Sequence, residues 1–164
     1  YDARVMIKNI LTNGTMPVRL LSSLLQGDLG KSGRVISRFL INSTVGLGGM
    51  FDVADNEFDI KPANENMTQT LGFYDVPSGP YLVLPILGPS SVRNLIGRTA
   101  DIFVSPTFLL SAPFAVSSGI AAVKKTNETS FLIDIHEDLR EHSIDEYISV
   151  RDLYQQYHYF LINE

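Results

Sequence analysis

The chain has 164 residues and no cysteine, so it is long enough for one domain with its own core and cannot form a disulfide or a thiolate metal site. Its formal net charge of −5 disfavours nucleic acid as the main partner, because phosphate backbones recruit basic proteins. Apolar residues make up 45% of the chain and charged residues 19%, which predicts an unusually apolar surface, although no apolar run reaches the roughly 20 residues of a membrane-spanning helix.

The first part of the chain predicts three short helices separated by glycine-containing turns. Apolar residues recur at helical spacing in residues 3–11, 17–26 and 32–42, with Pro17 at the first position of the second helix and Ser32 as the cap of the third. The second helix has few polar residues. Four apolar side chains of the third helix are predicted to face inward: Val35, Ile36, Phe39 and Leu40.

A glycine-rich segment, residues 42–52, follows the third helix and is called the glycine bend below. It lacks the Lys-Ser/Thr pair of a phosphate-binding loop and the third glycine of a dinucleotide site. We therefore interpret it as a bend where backbones pack closely. Four of its side chains are predicted to face an apolar environment: Val45, Leu47, Met50 and Phe51.

Residues 55–66 are polar and are interpreted as a surface loop without a ligand. Asp55, Glu57 and Asp59 alternate as at the start of an EF-hand calcium loop, but the glycine at the sixth position and the glutamate at the twelfth are absent. A short helix over residues 67–71, ended by Gly72, is predicted to follow.

The segment from Ser78 to Pro89 is apolar and interrupted by proline. Pro85 has no N–H group and glycine-proline pairs flank it, so the segment is predicted to be an extended, partly hairpin-like loop. Ser90 or Ser91 then caps a helix that Pro106 ends or kinks. That helix is predicted to have an apolar stripe opposite Arg93, Arg98 and Asp101, made by these residues: Val92, Leu95, Ile96 and Phe103.

The last third of the chain contains one nearly uncharged segment and two further predicted helices. Residues 107–116 carry no charge, which is typical of a helical region that is buried or faces lipid. Residues 129–140 predict a helix, and the capping box from Ser143 to Glu146 begins a last one that extends to Leu161. The whole chain, residues 1–164, is therefore predicted to be a single, mostly α-helical domain.

No residue pattern predicts catalysis or metal binding. In the string from His136 to Arg140 an arginine stands where a zinc protease has its second histidine, and His142 is out of place on the helix. Solvated surface positions are expected for these two histidines and for His158. No G-x-S-x-G motif occurs, which disfavours a phospholipase. We expect no enzyme activity, no cofactor and no metal.

Three blocks in order resemble one known family. The first block is Arg38–Ala54, which contains the glycine bend. The second block consists of Gln69–Tyr74 and Ser78–Pro85, followed by Gly88 and Arg93. The third block is Tyr147–Phe160, with Val150-Arg151 at its centre. Together they are similar to the MlaA family, also called VacJ, which comprises outer-membrane lipoproteins that maintain lipid asymmetry.

The resemblance implies a ring-like assembly of amphipathic helices seated in the inner leaflet of the outer membrane, with a short proline-rich apolar loop or hairpin. It implies non-enzymatic transport of misplaced phospholipids from the outer leaflet to the periplasmic carrier MlaC, with trimeric porins as a further partner. The lipid anchor and the first helices of the family are expected upstream of Tyr1. The alternative is a periplasm-facing scaffold that binds porin and carrier without conducting lipid.

Under this hypothesis an apolar wall contacts acyl chains, and the proline-rich segment lines or gates a passage or packs on the core. The candidate lipid-binding residues are Val45, Leu47, Met50, Phe51, Leu82, Leu84, Ile86, Leu87 and Phe114.

Overall fold

The computed structural model of the protein describes residues 2–85, 88–131 and 145–163. These residues are mostly helical and include one antiparallel two-stranded hairpin, which confirms the predicted fold class. None of the helices they form is both long and apolar enough to cross a membrane. In chain order the elements are α1 (Ala3–Gly14), α2 (Met16–Leu25), α3 (Leu29–Thr44), α4 (Val53–Asn56), α5 (Met67–Phe73), β1 (Tyr81–Leu84), β2 (Gly88–Ser91), α6 (Val92–Val104), α7 (Pro106–Leu109), α8 (Phe114–Ser130) and α9 (Glu146–Asn163).

Helix α1 is longer than its apolar pattern predicts, because tertiary contacts hold its last turn. It continues to Gly14, and only Thr15 separates it from α2. The side chain of Asn13 donates to Ser43 Oγ on α3 at 2.9 Å, and the N–H of Thr15 bonds to the carbonyl of Thr12 at 3.1 Å. A bond between residues 30 positions apart cannot be read from local periodicity.

Helix α3 is capped by Asp28, and the prediction that Ser32 caps it was wrong. Asp28 Oδ1 accepts from the N–H of Lys31 at 2.8 Å, which satisfies one of the free donors in the first turn. Ser32 already lies inside the helix, where its hydroxyl donates to the carbonyl of Asp28 at 2.8 Å. An aspartate at the end of the turn therefore starts the helix one turn earlier than the serine would.

The proline-rich segment forms the predicted hairpin, whose strands pair Tyr81 with Ser91 and Leu84 with Gly88. The base of the hairpin is closed by the N–H of Arg93, which donates to the carbonyl of Ser78 at 3.1 Å. Among the described residues each strand has only one neighbouring strand, so the prolines leave no ladder hydrogen bond unmade on the outer side.

The Ser91 hydroxyl accepts from the N–H of Asn94 at 3.2 Å, which confirms Ser91 as the cap of α6. Helix α6 ends at Val104, and Pro106 begins the single turn of α7, as predicted for a proline at this position. The hairpin therefore leads directly into a helix.

Residues 55–66 are not entirely a surface loop, and that part of the prediction was wrong. Helix α4 occupies their start, and Ala63 and Glu65 are buried. Glu65 accepts from Lys31 Nζ at 2.8 Å and from Gln26 Nε2 at 2.7 Å, so it joins this segment to α2 and α3. Asp55 and Asp59 both pair with Lys61 at the surface.

The main helix pairs are α2 with α3 and α5 with α6, while α9 packs on α5 and β2 and α1 touches α8. Helix α5 ends at Phe73, so Gly72 lies within it. The predicted helix over residues 129–140 coincides with the end of α8 as far as Ser130, and its remainder lies outside the described residues from position 132 onward. Ser143 lies outside them too, but α9 follows from Glu146 as predicted.

Candidate functional site

The helices of this protein present polar side chains inward and apolar side chains outward. In α2, Ser22 and Ser23 are fully buried, whereas Leu24 and Leu25 are 49% and 41% exposed. Among the described residues only four apolar side chains are buried, and they are Val18, Val35, Ala54 and Ala63. A water-soluble protein of this size would bury its large apolar residues instead.

The same inversion occurs in α3. Val35 is buried and Phe39 half-buried, as predicted, but Ile36 and Leu40 are 42% and 56% exposed, so their predicted inward orientation was wrong. Arg38, on the same helix, is buried. The physical reason is that polar side chains of α3 have hydrogen-bond partners on the inner side, which leaves the outer side to leucine and isoleucine.

Helix α6 has the predicted stripe, but the stripe faces outward. Ile96 and Phe103 are 54% and 56% exposed, whereas Arg93, Asn94 and Gly97 are buried. A Cβ atom at position 97 would lie 2.5 Å from the backbone nitrogen of Thr68, so this close approach of α6 to α5 requires glycine. Close packing through small and polar residues, with apolar side chains outside, is typical of helices in lipid.

A largely apolar outer surface extends from the end of α6 into α8. Phe108, Leu109 and Leu110 are more than half exposed, and Phe114 is 87% exposed. This surface, from Phe108 to Phe114, is called the apolar rim, and it covers the segment predicted to be buried or to face lipid. Because its side chains are exposed, burial in the protein does not explain its lack of charge.

Among the candidate lipid-binding residues, those of the glycine bend form an exposed group. Val45 and Leu47 are about two-thirds exposed, Met50 is 37% exposed, and Phe51 is half-buried. Leu47 has φ +52°, in the left-handed region that is uncommon for residues other than glycine. The bend therefore presents these side chains outward.

The candidates of the hairpin and of α8 lie elsewhere in the fold. Leu82 and Leu84 are half-buried, Phe114 is on the apolar rim, and Ile86 and Leu87 lie outside the described residues. The hairpin packs on α6 and α9, whereas the bend contacts α1, where Asn9 Nδ2 donates to the carbonyl of Met50 at 3.1 Å. The candidates thus fall into three separate groups, and their contact with lipid stays a prediction.

An ion pair beneath the bend anchors it to α3. Arg38 Nη2 donates to both carboxylate oxygens of Asp52, at 2.9 and 2.7 Å, and Arg38 also donates to the carbonyl of Ile60. Asn42 bridges the ends of the bend, because its Nδ2 donates to Asp52 at 2.9 Å and its Oδ1 accepts from the N–H of Ala54 at 2.9 Å. Burial alone would raise the pKa of Asp52, but the hydrogen bonds from Asn42 and Arg38 and the charge of Arg38 hold it below its ordinary value.

Two glycines make this bend possible. A Cβ at position 46 would lie 2.4 Å from the carbonyl oxygen of Phe51. Gly49 has φ +93°, and a Cβ there would lie 2.7 Å from the side chain of Asn13 on α1. Close backbone approach is thus the reason for the glycines, as predicted, and the bend is held against α1 and α3.

A small recess of about 40 Å³ lies between α1, α2, α3 and the segment after α4. Its lining residues are Asn9, Thr12, Asn13, Met16, Arg19, Val35, Arg38, Phe39, Asn42, Asp52 and Ala63. We call it the arginine recess, because two guanidinium groups and one carboxylate line it.

Arg19 is held in the arginine recess by neutral acceptors only. Its Nε donates to Thr15 Oγ1 at 3.2 Å, and its Nη1 donates to the carbonyl of Ala63 at 3.2 Å and to Asn64 Oδ1 at 3.1 Å. Burial, followed by the charge of Arg38, lowers the pKa of Arg19 below its ordinary value. Sequence analysis missed this residue, although an arginine on a helix with few other polar residues was a usable signal.

A second polar cluster joins α6 to the C-terminal helix. Tyr154 OH accepts from Asn94 Nδ2 at 2.8 Å and donates to Ser91 Oγ at 3.4 Å. Arg93 is buried and donates to the carbonyl of Val76 at 2.8 Å. Three buried polar atoms of the described residues have no hydrogen-bond partner, and they are Gln69 Oε1, Ser90 Oγ and Arg93 Nε.

His158 belongs to this cluster and is half-buried, so its predicted solvated position was wrong. Its ring centroid lies 4.4 Å from that of Tyr154. Burial lowers the pKa of His158, and the charges of Arg93 and Arg98 lower it further. The other two histidines lie outside the described residues. Within the described part of the chain no three carboxylate or imidazole groups lie together as a metal site.

These features define a class of helical protein. Its buried polar side chains join the helices to one another, and its apolar side chains face outward. None of the helices among the described residues spans a bilayer. A family model described as MlaA lipoprotein matches residues 1–160. The chain belongs to the MlaA lipoprotein family, as its three sequence blocks predicted.

Individual relatives agree with this assignment. The chain is 33% identical over 163 residues to the intermembrane phospholipid transport system lipoprotein MlaA of Escherichia coli K12, covering 98% of this chain and 64% of that one. It is 32% identical to the protein of the same name from Haemophilus influenzae, covering 96% and 63%. An uncharacterized protein of Rickettsia felis is 28% identical, covering 88% and 57%. The chain thus spans about three-fifths of the length of the curated relatives it matches.

One solved structure matches the fold closely. It is described as the structural basis for maintenance of bacterial outer membrane lipid asymmetry, and the match has a TM-score of 0.83 at 33% identity. The match covers 98% of this chain and 80% of the other.

Proposed function

We propose that this protein transports phospholipids between membranes of the bacterial cell envelope without chemical change, as a ring of helices seated in the outer membrane from its periplasmic side. The observation that carries the proposal is the inverted polarity: buried serines, asparagines and arginines hold the helices together, while leucine and phenylalanine side chains face outward. A large exposed apolar surface of this kind is typical of a protein that contacts a membrane or another apolar partner.

The apolar rim is the part that we assign to the membrane. Its side chains are more exposed than most of the protein's other apolar residues, and burying each of them in acyl chains would contribute about 1.5–3 kcal/mol. Because no described helix could span the bilayer, this contact is with one leaflet.

The glycine bend and the hairpin are proposed to contact the transported lipid. Val45 and Leu47 are exposed on a bend whose backbone is fixed by the Arg38–Asp52 pair, so they form a rigid apolar edge. The relatives from Escherichia coli and Haemophilus influenzae are named as lipoproteins of an intermembrane phospholipid transport system, which supports phospholipid as the ligand and a system of several proteins. The periplasmic carrier MlaC and a trimeric porin are the partners that we propose, together with a lipid anchor in the whole protein.

Native mass spectrometry of the protein extracted in a mild detergent tests the proposal. We expect bound phospholipid, and a photo-crosslinking residue placed at Leu47 is expected to capture it. The same residue placed at Glu57, which is also exposed, is the control and is expected to capture none. Lipid-free protein under gentle extraction would overturn the proposal.

Membrane contact by the apolar rim is tested separately by flotation with phospholipid vesicles. The double variant Leu110→Asp and Phe114→Asp is expected to lose binding. The control, Ser118→Asp with Thr126→Asp, adds the same charge at exposed positions of α8 outside the rim and is expected to keep binding. Equal loss in both variants would mean that charge alone, not the rim, is responsible.

A substitution in the hairpin distinguishes transport of lipid by this protein from a role as a scaffold for porin and carrier. In a strain that lacks the native protein, Leu84→Asp is expected to abolish outer-membrane lipid asymmetry even where porin and carrier still bind. Val83→Asp, on the opposite, exposed face of the same strand, is the control. Preserved asymmetry in the Leu84→Asp strain would favour the scaffold.

A further inference from the structure

We propose that the arginine recess receives the phosphate of a phospholipid headgroup, bound by Arg19 together with Arg38, while the acyl chains lie along the glycine bend. This inference rests on the proposed function, because it assigns the polar end of the same ligand to a site.

The charge balance of the recess is the first argument. Two guanidinium groups, Arg19 and Arg38, face one carboxylate, Asp52, so the lining has one positive charge in excess in a chain whose net charge is −5. Glu65, the next carboxylate toward Arg19, is itself paired with Lys31 at 2.8 Å. No described carboxylate is within ion-pair distance of Arg19.

The donors of Arg19 are the second argument. Its Nε and Nη1 are oriented by Thr15, Ala63 and Asn64, and no described acceptor is bonded to its Nη2. The guanidinium plane is thus fixed while one nitrogen stays free to donate. The N–H groups of this nitrogen are charge-assisted donors for a phosphate oxygen. Burial and then the charge of Arg38 lower the pKa of Arg19, and a bound anion would offset both effects.

The recess is large enough for the oxygens of one phosphate group but not for a whole lipid. A volume of about 40 Å³ is on the order of two to three water sites. It therefore suits the oxygens of one phosphate, with the glycerol and the acyl chains outside.

The position of the recess is the third argument. Asn9 bonds to the carbonyl of Met50, and Asn13 contacts Gly49, so the wall of the recess is in direct contact with the glycine bend. Val45 and Leu47 of that bend are about two-thirds exposed. A charged recess next to an apolar edge matches the two ends of a phospholipid.

The test compares two lipids that differ in the phosphate. Binding of a fluorescent phosphatidylglycerol and a fluorescent diacylglycerol with the same chains is measured on the purified protein in detergent. Arg19→Gln, which removes the charge, is expected to weaken phosphatidylglycerol binding by about tenfold, as for the loss of one charge-assisted hydrogen bond, and to leave diacylglycerol binding unchanged. Arg34→Gln, on the exposed face of α3, is the matched control and is expected to change neither.

Arg19→Lys keeps the charge but not the planar pair of donors, so an intermediate loss is expected. Circular dichroism melting shows that each variant is folded before binding is measured. Unchanged phosphatidylglycerol binding in folded Arg19→Gln would overturn the headgroup site and leave the proposed transport function standing. Equal weakening of both lipids would also overturn it, since a phosphate contact cannot affect diacylglycerol.

Inorganic phosphate distinguishes a free anion from a headgroup. It is expected to compete with phosphatidylglycerol in the unmodified protein only at millimolar concentration, because it lacks the acyl contacts. If phosphate stabilised the protein through Arg19 while phosphatidylglycerol binding did not depend on Arg19, the headgroup assignment would be wrong. If neither lipid bound the unmodified protein, both this site and the transport function would fail.

Discussion

Helices α3 and α8 have nearly the same length, 16 and 17 residues, but they are held in opposite ways. Helix α3 buries Ser32, Val35, Arg38 and Asn42 on one face, and three of these are polar side chains. Helix α8 buries only Asn127. Contacts between buried polar side chains therefore stabilise the helices of this protein. Its apolar segments, which would form the core of another protein, lie on the outside.

The largest expected effect concerns the anchor of α3. Asp52→Ala removes the partner of Arg38 and leaves a largely buried guanidinium without a counter-charge, so we expect the free energy of unfolding to fall by about 3 kcal/mol. Denaturant titration measures it. Asp59→Ala removes an exposed carboxylate and is expected to change stability by less than about 0.5 kcal/mol. Equal effects of the two variants would contradict the anchoring role of the pair.

The same anchor predicts an acid sensitivity. The pKa of Asp52 in the folded protein lies below its ordinary value of 3.8, so its stabilising contribution is present above that value and is lost as the pH falls through the folded-state pKa. Melting temperatures recorded from pH 6 downward are expected to fall more steeply below about pH 4 in the unmodified protein than in Asp52→Asn. Parallel curves would mean that other carboxylates carry the acid response.

The glycine bend is expected to tolerate no added methyl group. Gly46→Ala places a Cβ against the carbonyl of Phe51, and overpacking of this kind costs about 1–3 kcal/mol. Gly33→Ala, in the interior of α3 with open space around it, is the control and is expected to stabilise by about 0.5–1 kcal/mol. A stable Gly46→Ala protein would show that the bend relaxes more easily than its contacts indicate.

The smallest effect on folding is expected on α8. Phe114→Ser removes a side chain that is 87% exposed, so the unfolding free energy should change by no more than about 0.5 kcal/mol. Val35→Ala, at a buried position of α3, is expected to cost at least about 1 kcal/mol. Chemical denaturation of the two variants in detergent-free buffer compares them. A large loss in Phe114→Ser would mean that another part of the chain covers α8.

Local patterns predicted the elements better than their orientation. The hairpin follows from prolines and glycines at fixed positions, and the Ser91 cap from a serine before an apolar run, since both depend on neighbouring residues. Ile36 and Leu40 were placed on the wrong side because periodicity shows that a helix has two faces but not which one is inside. In most proteins the apolar face is inside, whereas in α3 Ile36 and Leu40 face outward.

The candidate site was predictable only in part. The glycine bend was predicted, since a cluster of glycines is visible in a sequence, whereas the contact of its apolar side chains with lipid stays a prediction. Arg19 was missed because its partners Ala63 and Asn64 are more than 40 positions away. The small number of other polar residues on its helix was a usable local signal, but only those distant partners hold Arg19 in the recess.

The sequence by itself determined the helical class, the hairpin, the glycine bend and membership of the MlaA lipoprotein family, because each depends on short-range geometry or on an ordered set of motifs. Only the tertiary structure decided which face of each helix is inside, how Arg38, Asp52 and Asn42 fix the bend, and that Arg19 shares a recess with them. The physical reason is that burial and charge pairing arise from contacts between distant residues, and the free energy of those contacts selects one face over the other.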